Sequence, residues 1–139
     1  MAQIKYNNPG NIRKGDAWLG SVTPGASASF VEFKDLAHGL RALFIVLTAK
    51  INKGKNTIAA IIASYAPPNE NNTENYITHV SELTGIDRNA VISVADSDSL
   101  KKIVKAITRQ EHSVTLSDSE IKEGFDLWQN VKKKEHTSE

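Results

Sequence analysis

Apolar positions change their rhythm near Lys34. Residues 5–34 mix Gly, Asn, Pro and Ser with interleaved aromatic residues and show no helical period. That pattern predicts loops and a short β element, built from residues 12–19 and 29–34. From Asp35 onward the period becomes helical. Asp35 is placed to cap a helix carrying Leu36, Leu40, Leu43, Leu47 and Ile51 on one face, with Gly54 as its stop. Asn56 or Thr57 opens a second helix with Ile58, Ile61, Ile62 and Tyr65 inward, and Pro67-Pro68 ends it because proline lacks a donor. Thr73 is the expected cap of a third helix over residues 74–84, stopped at Gly85. Asp96 caps a fourth helix bearing Leu100, Ile103, Val104 and Ile107 and running to about Glu111. Ser117 and Glu120 have capping-box spacing and open a fifth through Ile121, Phe125 and Trp128. The expectation is one mainly α domain over residues 1–139, with a small β element near the N-terminus and a polar tail from about residue 132.

Composition narrows the chemistry. A chain of 139 residues can bury a core without crosslinks, and it contains no cysteine, so thiolate nucleophiles and Cys-based zinc sites are excluded. Seventeen basic residues against sixteen acidic ones leave a net charge of +1, which argues against a dedicated nucleic-acid binder. Nothing is long and apolar enough for a membrane span, and residues 1–11 lack the apolar core of a signal peptide. Four scattered histidines have no metal-ligand spacing, and GxSxG, P-loop and GxGxxG motifs are absent, so no metal or other cofactor is expected. Lys132-Lys133-Lys134 fits a solvated helix end favoured by the helix dipole.

Two glutamates are candidates for acid/base chemistry. Glu111 closes an apolar helix, where partial burial and the negative helix end both favour a protonated carboxyl; the same position suits an ordinary surface glutamate. Glu70 sits in the polar loop Ala66-Pro67-Pro68-Asn69-Glu70-Asn71-Asn72-Thr73, which suits sugar hydroxyls and also suits a plain turn and cap. Glu32, between Phe30 and Phe33, fits a solvated strand position. Trp18, Tyr65, Tyr76 and Trp128 have the ring faces that stack on sugars, although core packing explains each as well, Trp128 above all.

A longer pattern carries the reading further. Asn7-Asn8-Pro9-Gly10-Asn11-Ile12-Arg13 is followed by Trp18-x-Gly20, Phe30-x-x-Phe33, Gly39-x-Arg41-Ala42, Tyr65-Ala66-Pro67, Glu70-Asn71-Asn72-Thr73 and Tyr76-Ile77. In this order the motifs resemble a family of short phage and prophage proteins. These are often labelled virion structural proteins and are related to the lysin of an enveloped double-stranded-RNA phage. Residues 39–80 also resemble the C-terminal half of the lytic transglycosylase domain, except that Ala66-Pro67 follows Tyr65 where those enzymes have Asn-Ala-Gly. Their catalytic glutamate ends a helix preceding this region. Here the matching segment is Glu111-His112-Ser113, late in the chain, which implies a circular permutation.

The resemblance implies a lysozyme-like fold that cleaves peptidoglycan glycan strands, with Glu111 as the catalytic acid/base and Glu70 as the alternative. It implies a substrate cleft containing Asn8, Asn11, Arg13, Tyr65, Asn72 and Tyr76, and partners among glycan strands and other virion proteins. With no leader segment, the protein would reach the wall from a virion, or from the host cytoplasm on lysis. Rival readings are a non-catalytic virion or wall-binding protein and a peptidoglycan endopeptidase, the latter poor in residues for its chemistry.

Overall fold

A computed structural model describes residues 4–67 and 72–138, with side chains through residue 131. Among these residues the chain forms five α-helices after a short 3-10 turn at Lys5–Asn7: α1 Leu36–Asn52, α2 Ile58–Tyr65, α3 Thr73–Thr84, α4 Ser97–His112 and α5 Asp118–Ser138.

Local chemistry sets the helix starts. Asp35 accepts the His38 N–H, Thr57 that of Ala60 and Asp96 that of Ser99. At α5 the expected capping box is complete: Glu120 Oε1 accepts the Ser117 N–H at 2.8 Å, and Ser117 Oγ accepts the Glu120 N–H at 3.1 Å. One cap moves by a residue. Asn72, not Thr73, accepts the Asn75 N–H at 3.1 Å, while the Thr73 hydroxyl turns back to the Ala66 carbonyl at 2.6 Å. Thr73 thereby ties the start of α3 to the end of α2. The backbone of α5 continues through Ser138, so Lys132, Lys133 and Lys134 lie in the last turns of a helix.

The core is a helical stack. Leu40, Leu43, Phe44 and Leu47 of α1 meet Ile58, Ile61 and Ile62 of α2, Val80 of α3 and Leu100, Ile103, Val104 and Ile107 of α4. Each such side chain contributes about 1.5–3 kcal/mol when fully buried. α1 packs most extensively against α5, where Phe44 stacks on Trp128 with ring centroids 5.4 Å apart and Phe125 meets both edge-on. Trp128 is core.

The expected β element is reduced to two isolated antiparallel bridges, Arg13 with Phe30 and Ser21 with Phe33. Glycines and prolines crowd this stretch and the pairings are too short to extend a ladder. Val31 and Phe33 nonetheless bury against Ala42 of α1, with Ile12 and Trp18 beside them. The N-terminal segment is therefore a fitted layer over α1. Glu32 is not simply solvated: its Oε1 accepts the Ala26 N–H at 2.8 Å and braces the loop before it.

Candidate functional site

The loop that opens the chain lies against the far end of α4. Gly39 permits this. A Cβ there would strike the Asn7 carbonyl oxygen and stand 2.8 Å from Pro9 Cδ, so only glycine lets the loop rest directly on α1. Gly10 is similarly confined by the Tyr65 hydroxyl, which donates to the Gly10 carbonyl, and by Leu43. Asn7 and Asn11 hold positive φ of 52° and 50°, a conformation asparagine tolerates better than most residues.

Asn8 organises this loop from inside. It is fully buried, and its Nδ2 donates to the carbonyls of Ile12 (2.9 Å) and Val31 (2.8 Å) while its Oδ1 accepts the Ile12 N–H (2.9 Å). The expectation that Asn8 lines a substrate cleft is therefore corrected. Its amide satisfies backbone groups that would otherwise be buried unpaired. Arg41 is also fully buried, although the sequence pattern marked it only as a motif position.

Three elements converge on Glu111. Its half-buried carboxyl accepts from Asn11 Nδ2 at 2.7 Å through Oε1 and from the Tyr76 hydroxyl at 2.8 Å through Oε2. Asn11 comes from the N-terminal loop, Tyr76 from the second turn of α3, and Glu111 from the last turn of α4. Burial raises the Tyr76 pKa, and the Glu111 charge, Tyr65 and the hydrogen bond to Glu111 add to the rise. Tyr65 is raised by burial and then by Glu111. Both phenols thus stay protonated and act as donors. Each Glu111 oxygen keeps a lone pair beyond the one it uses here.

The turn after Glu111 has no glycine yet takes the geometry glycine would give. Ser113 sits at φ 57°, ψ 31° as a left-handed cap, its N–H returning to the Arg109 carbonyl at 2.9 Å. His112 lies within hydrogen-bonding distance of the Asn8 carbonyl, with Nε2 at 2.8 Å, and can donate there as the Nε2–H tautomer. So the loop is pinned to the α4 terminus twice, through Asn11 to Glu111 and through Asn8 to His112. His112 drew no attention in the sequence beyond its place after Glu111, and only tertiary contact reveals this role.

No family model matches this chain. It is 36% identical over 129 residues to Protein P5 of Pseudoalteromonas phage PM2, covering 88% of this chain and 79% of that protein. The chain belongs to the family of that phage protein. Membership in the P5 family supports the expected phage association. The mainly helical architecture agrees with the sequence reading at the level of fold class.

The other expected site residues distribute unevenly around the P5-family chain. Arg13 is exposed, with its guanidinium 5.0 Å from the Phe30 ring centroid. Asn72 is exposed and its side-chain oxygen caps α3, one turn before Tyr76. Glu70, the alternative acid, lies outside the described residues. His79 pairs with Gln110 beside the site. Among the described residues no three His, Asp or Glu side chains gather as metal ligands, and no helix is long and apolar enough to cross a membrane.

Proposed function

We propose that this protein cleaves the glycan strands of peptidoglycan, with Glu111 as general acid and then general base in a lysozyme-like site. The observation that carries this reading is the Glu111 carboxyl held by Asn11 and Tyr76. A part-exposed acid with a fixed direction is what proton transfer to a bound glycosidic oxygen requires. The order of motifs through the chain supports a wall-directed role, and membership in a phage protein family is compatible with it.

The bonding pattern suggests where the proton resides. The Asn11 amide nitrogen can only donate, so Oε1 must accept. The Tyr76 hydroxyl can turn and accept instead, so a neutral Glu111 carries its proton on Oε2. In the first step that proton passes to the glycosidic oxygen as the bond to muramic C1 breaks. The resulting carboxylate is steadied by both donors. In the second step it removes the proton from the muramic C6 hydroxyl while that oxygen bonds to C1, closing an anhydro ring. One carboxyl serves both steps. Hydrolysis would instead call for a second carboxylate or a held water, and the partners of Glu111 among the described residues are an amide and a phenol.

Mass spectrometry of digested peptidoglycan tests the reading. Anhydro-muropeptides are expected from the wild type and none from Glu111→Gln, with folding unchanged. Reducing ends would mean hydrolysis, and released stem peptides would defeat the glycosidase reading. Full activity in Glu111→Gln would move the acid to Glu70. No turnover by wild type, beside an active control enzyme, would favour a non-catalytic virion component.

A further inference from the structure

On another face of α4 lies an open groove of about 530 Å³. Its walls come from the end of α3, the outer face of α4 and the start of α5. Five cations line it, Lys101, Lys102, Lys105, Arg109 and Lys122, against two carboxylates, Asp98 and Asp118. The whole chain carries only +1, so the positive excess of the groove exceeds that of the molecule. Helical geometry turns Arg109 and Glu111, two residues apart, about 200° from each other. The groove is therefore separate from the Glu111 site.

The cations form a track. Lys101, Lys105 and Arg109 recur every four residues on α4, a step of about 6 Å along the axis. Like charges at this spacing disfavour an isolated helix. Carboxylates offset them only partly. Lys102 pairs with Asp98 at 3.1 Å, Lys105 with Asp118 at 3.3 Å and Lys122 with Asp126 at 2.6 Å, and in all three pairs the carboxylate is solvent-exposed. Such pairs hold weakly and exchange readily for another anion. Lys101 Nζ sits over the Phe125 ring, 4.4 Å from its centroid, so a ring face and no carboxylate holds its charge.

We propose that this groove binds a linear phosphodiester polymer of the cell envelope, holding the protein at the wall through a surface distinct from Glu111. The axial step suits successive phosphates along an extended chain. The apolar lining is Leu83, Ala106 and Ile121, with no exposed aromatic platform on which bases would stack. A lining without a stacking surface favours a polymer without bases over a single-stranded nucleic acid.

The test is fluorescence anisotropy of the full chain with fluorescein-labelled poly(glycerol phosphate), at several salt concentrations. Binding is expected to weaken with salt, with a log–log slope of about −2 for three phosphates engaged. Lys102→Glu/Lys105→Glu should weaken it at least tenfold and Lys102→Gln/Lys105→Gln at least threefold, with unchanged circular dichroism. Lys53→Glu/Lys55→Glu, an equal charge change outside the groove, should stay within twofold. Equal losses in both charge-reversal pairs would reduce the effect to net charge and overturn the proposal. So would tighter binding of a single-stranded oligonucleotide, or binding no stronger than to neutral dextran.

Discussion

Two neutral donors, one from the N-terminal loop and one from α3, hold the Glu111 carboxyl, and they make separable predictions. Tyr76→Phe removes the hydroxyl on Oε2 and little else, since the ring is buried in the core. A hydrogen bond to a charged group is worth about 1.5–3 kcal/mol, so glycan cleavage should fall roughly 10- to 100-fold. The thermal midpoint should fall by several degrees, leaving the protein folded at assay temperature. Activity equal to wild type would mean that Tyr76 positions nothing. Asn11 does two jobs, donating to Oε1 and holding a left-handed backbone. Asn11→Gly keeps the backbone and removes the amide, whereas Asn11→Ala strains it as well. Both should lose activity alike, while Ala is less stable than Gly by about 1 kcal/mol in urea unfolding. Residue identity was only partly legible in the sequence. Helix-end position made Glu111 a candidate, but the motif order singled it out. Asn8 misled because a polar loop residue ordinarily faces water, and here its amide replaces missing strand pairing. The signal that could have found it is Asn8-Pro9-Gly10, a turn whose first side chain commonly bonds its own backbone.

Elements were far more legible, because caps and stops are local chemistry. Asp35, Thr57, Asp96 and the Ser117–Glu120 box act where spacing predicted them. The β element failed for a non-local reason. Alternation within residues 29–34 marks a buried face, yet forming a sheet requires a partner segment long enough to pair, and here only isolated bridges form. Gly39 shows how an element can control the site without touching it. In an exposed helix, Gly→Ala stabilises by about 1 kcal/mol. In Gly39→Ala the new methyl meets the Asn7 carbonyl and Pro9, so the sign reverses. A net loss of about 1–3 kcal/mol is expected, the usual range for overpacking. Activity should fall further than stability explains, because the displaced loop carries Asn11. Gly124→Ala is the matched control, since its methyl would meet Leu40 in the α1–α5 contact, away from the loop. It should destabilise while leaving the turnover of folded protein near wild type. If both variants lost activity only in proportion to folded fraction, loop placement would not govern the site.

At the scale of the molecule, the site is a meeting of distant segments. The first loop, the end of α2, the start of α3 and the end of α4 converge on it, while α5 returns across α1 and secures the helix on which the loop rests. This arrangement makes the geometry around Glu111 depend on global folding, so pH acts on it through the stability of the fold. Three surface carboxylates set the acid side. At Asp35 burial alone would raise the pKa, but hydrogen bonds and charge from His38 outweigh it and hold the group below its ordinary 3.8. At Glu74 the Arg88 hydrogen bond lowers it from 4.5, and at Asp96 the Ser99 hydroxyl and N–H lower it from 3.8. Each folded-state value is depressed, so the fold favours the ionised form. Their contribution is complete above the unfolded values and drains away as pH falls through the folded ones. Stability from these groups should be flat from neutral pH to about 5 and decline below about 4. The triple variant Asp35→Asn, Glu74→Gln, Asp96→Asn keeps side chains able to cap but removes the charges. It should be modestly less stable than wild type at pH 7, and urea unfolding should show that gap narrowing toward pH 3. A gap constant from pH 7 to pH 3 would mean these carboxylates stabilise the fold only as neutral hydrogen-bond acceptors, and that its acid sensitivity originates elsewhere.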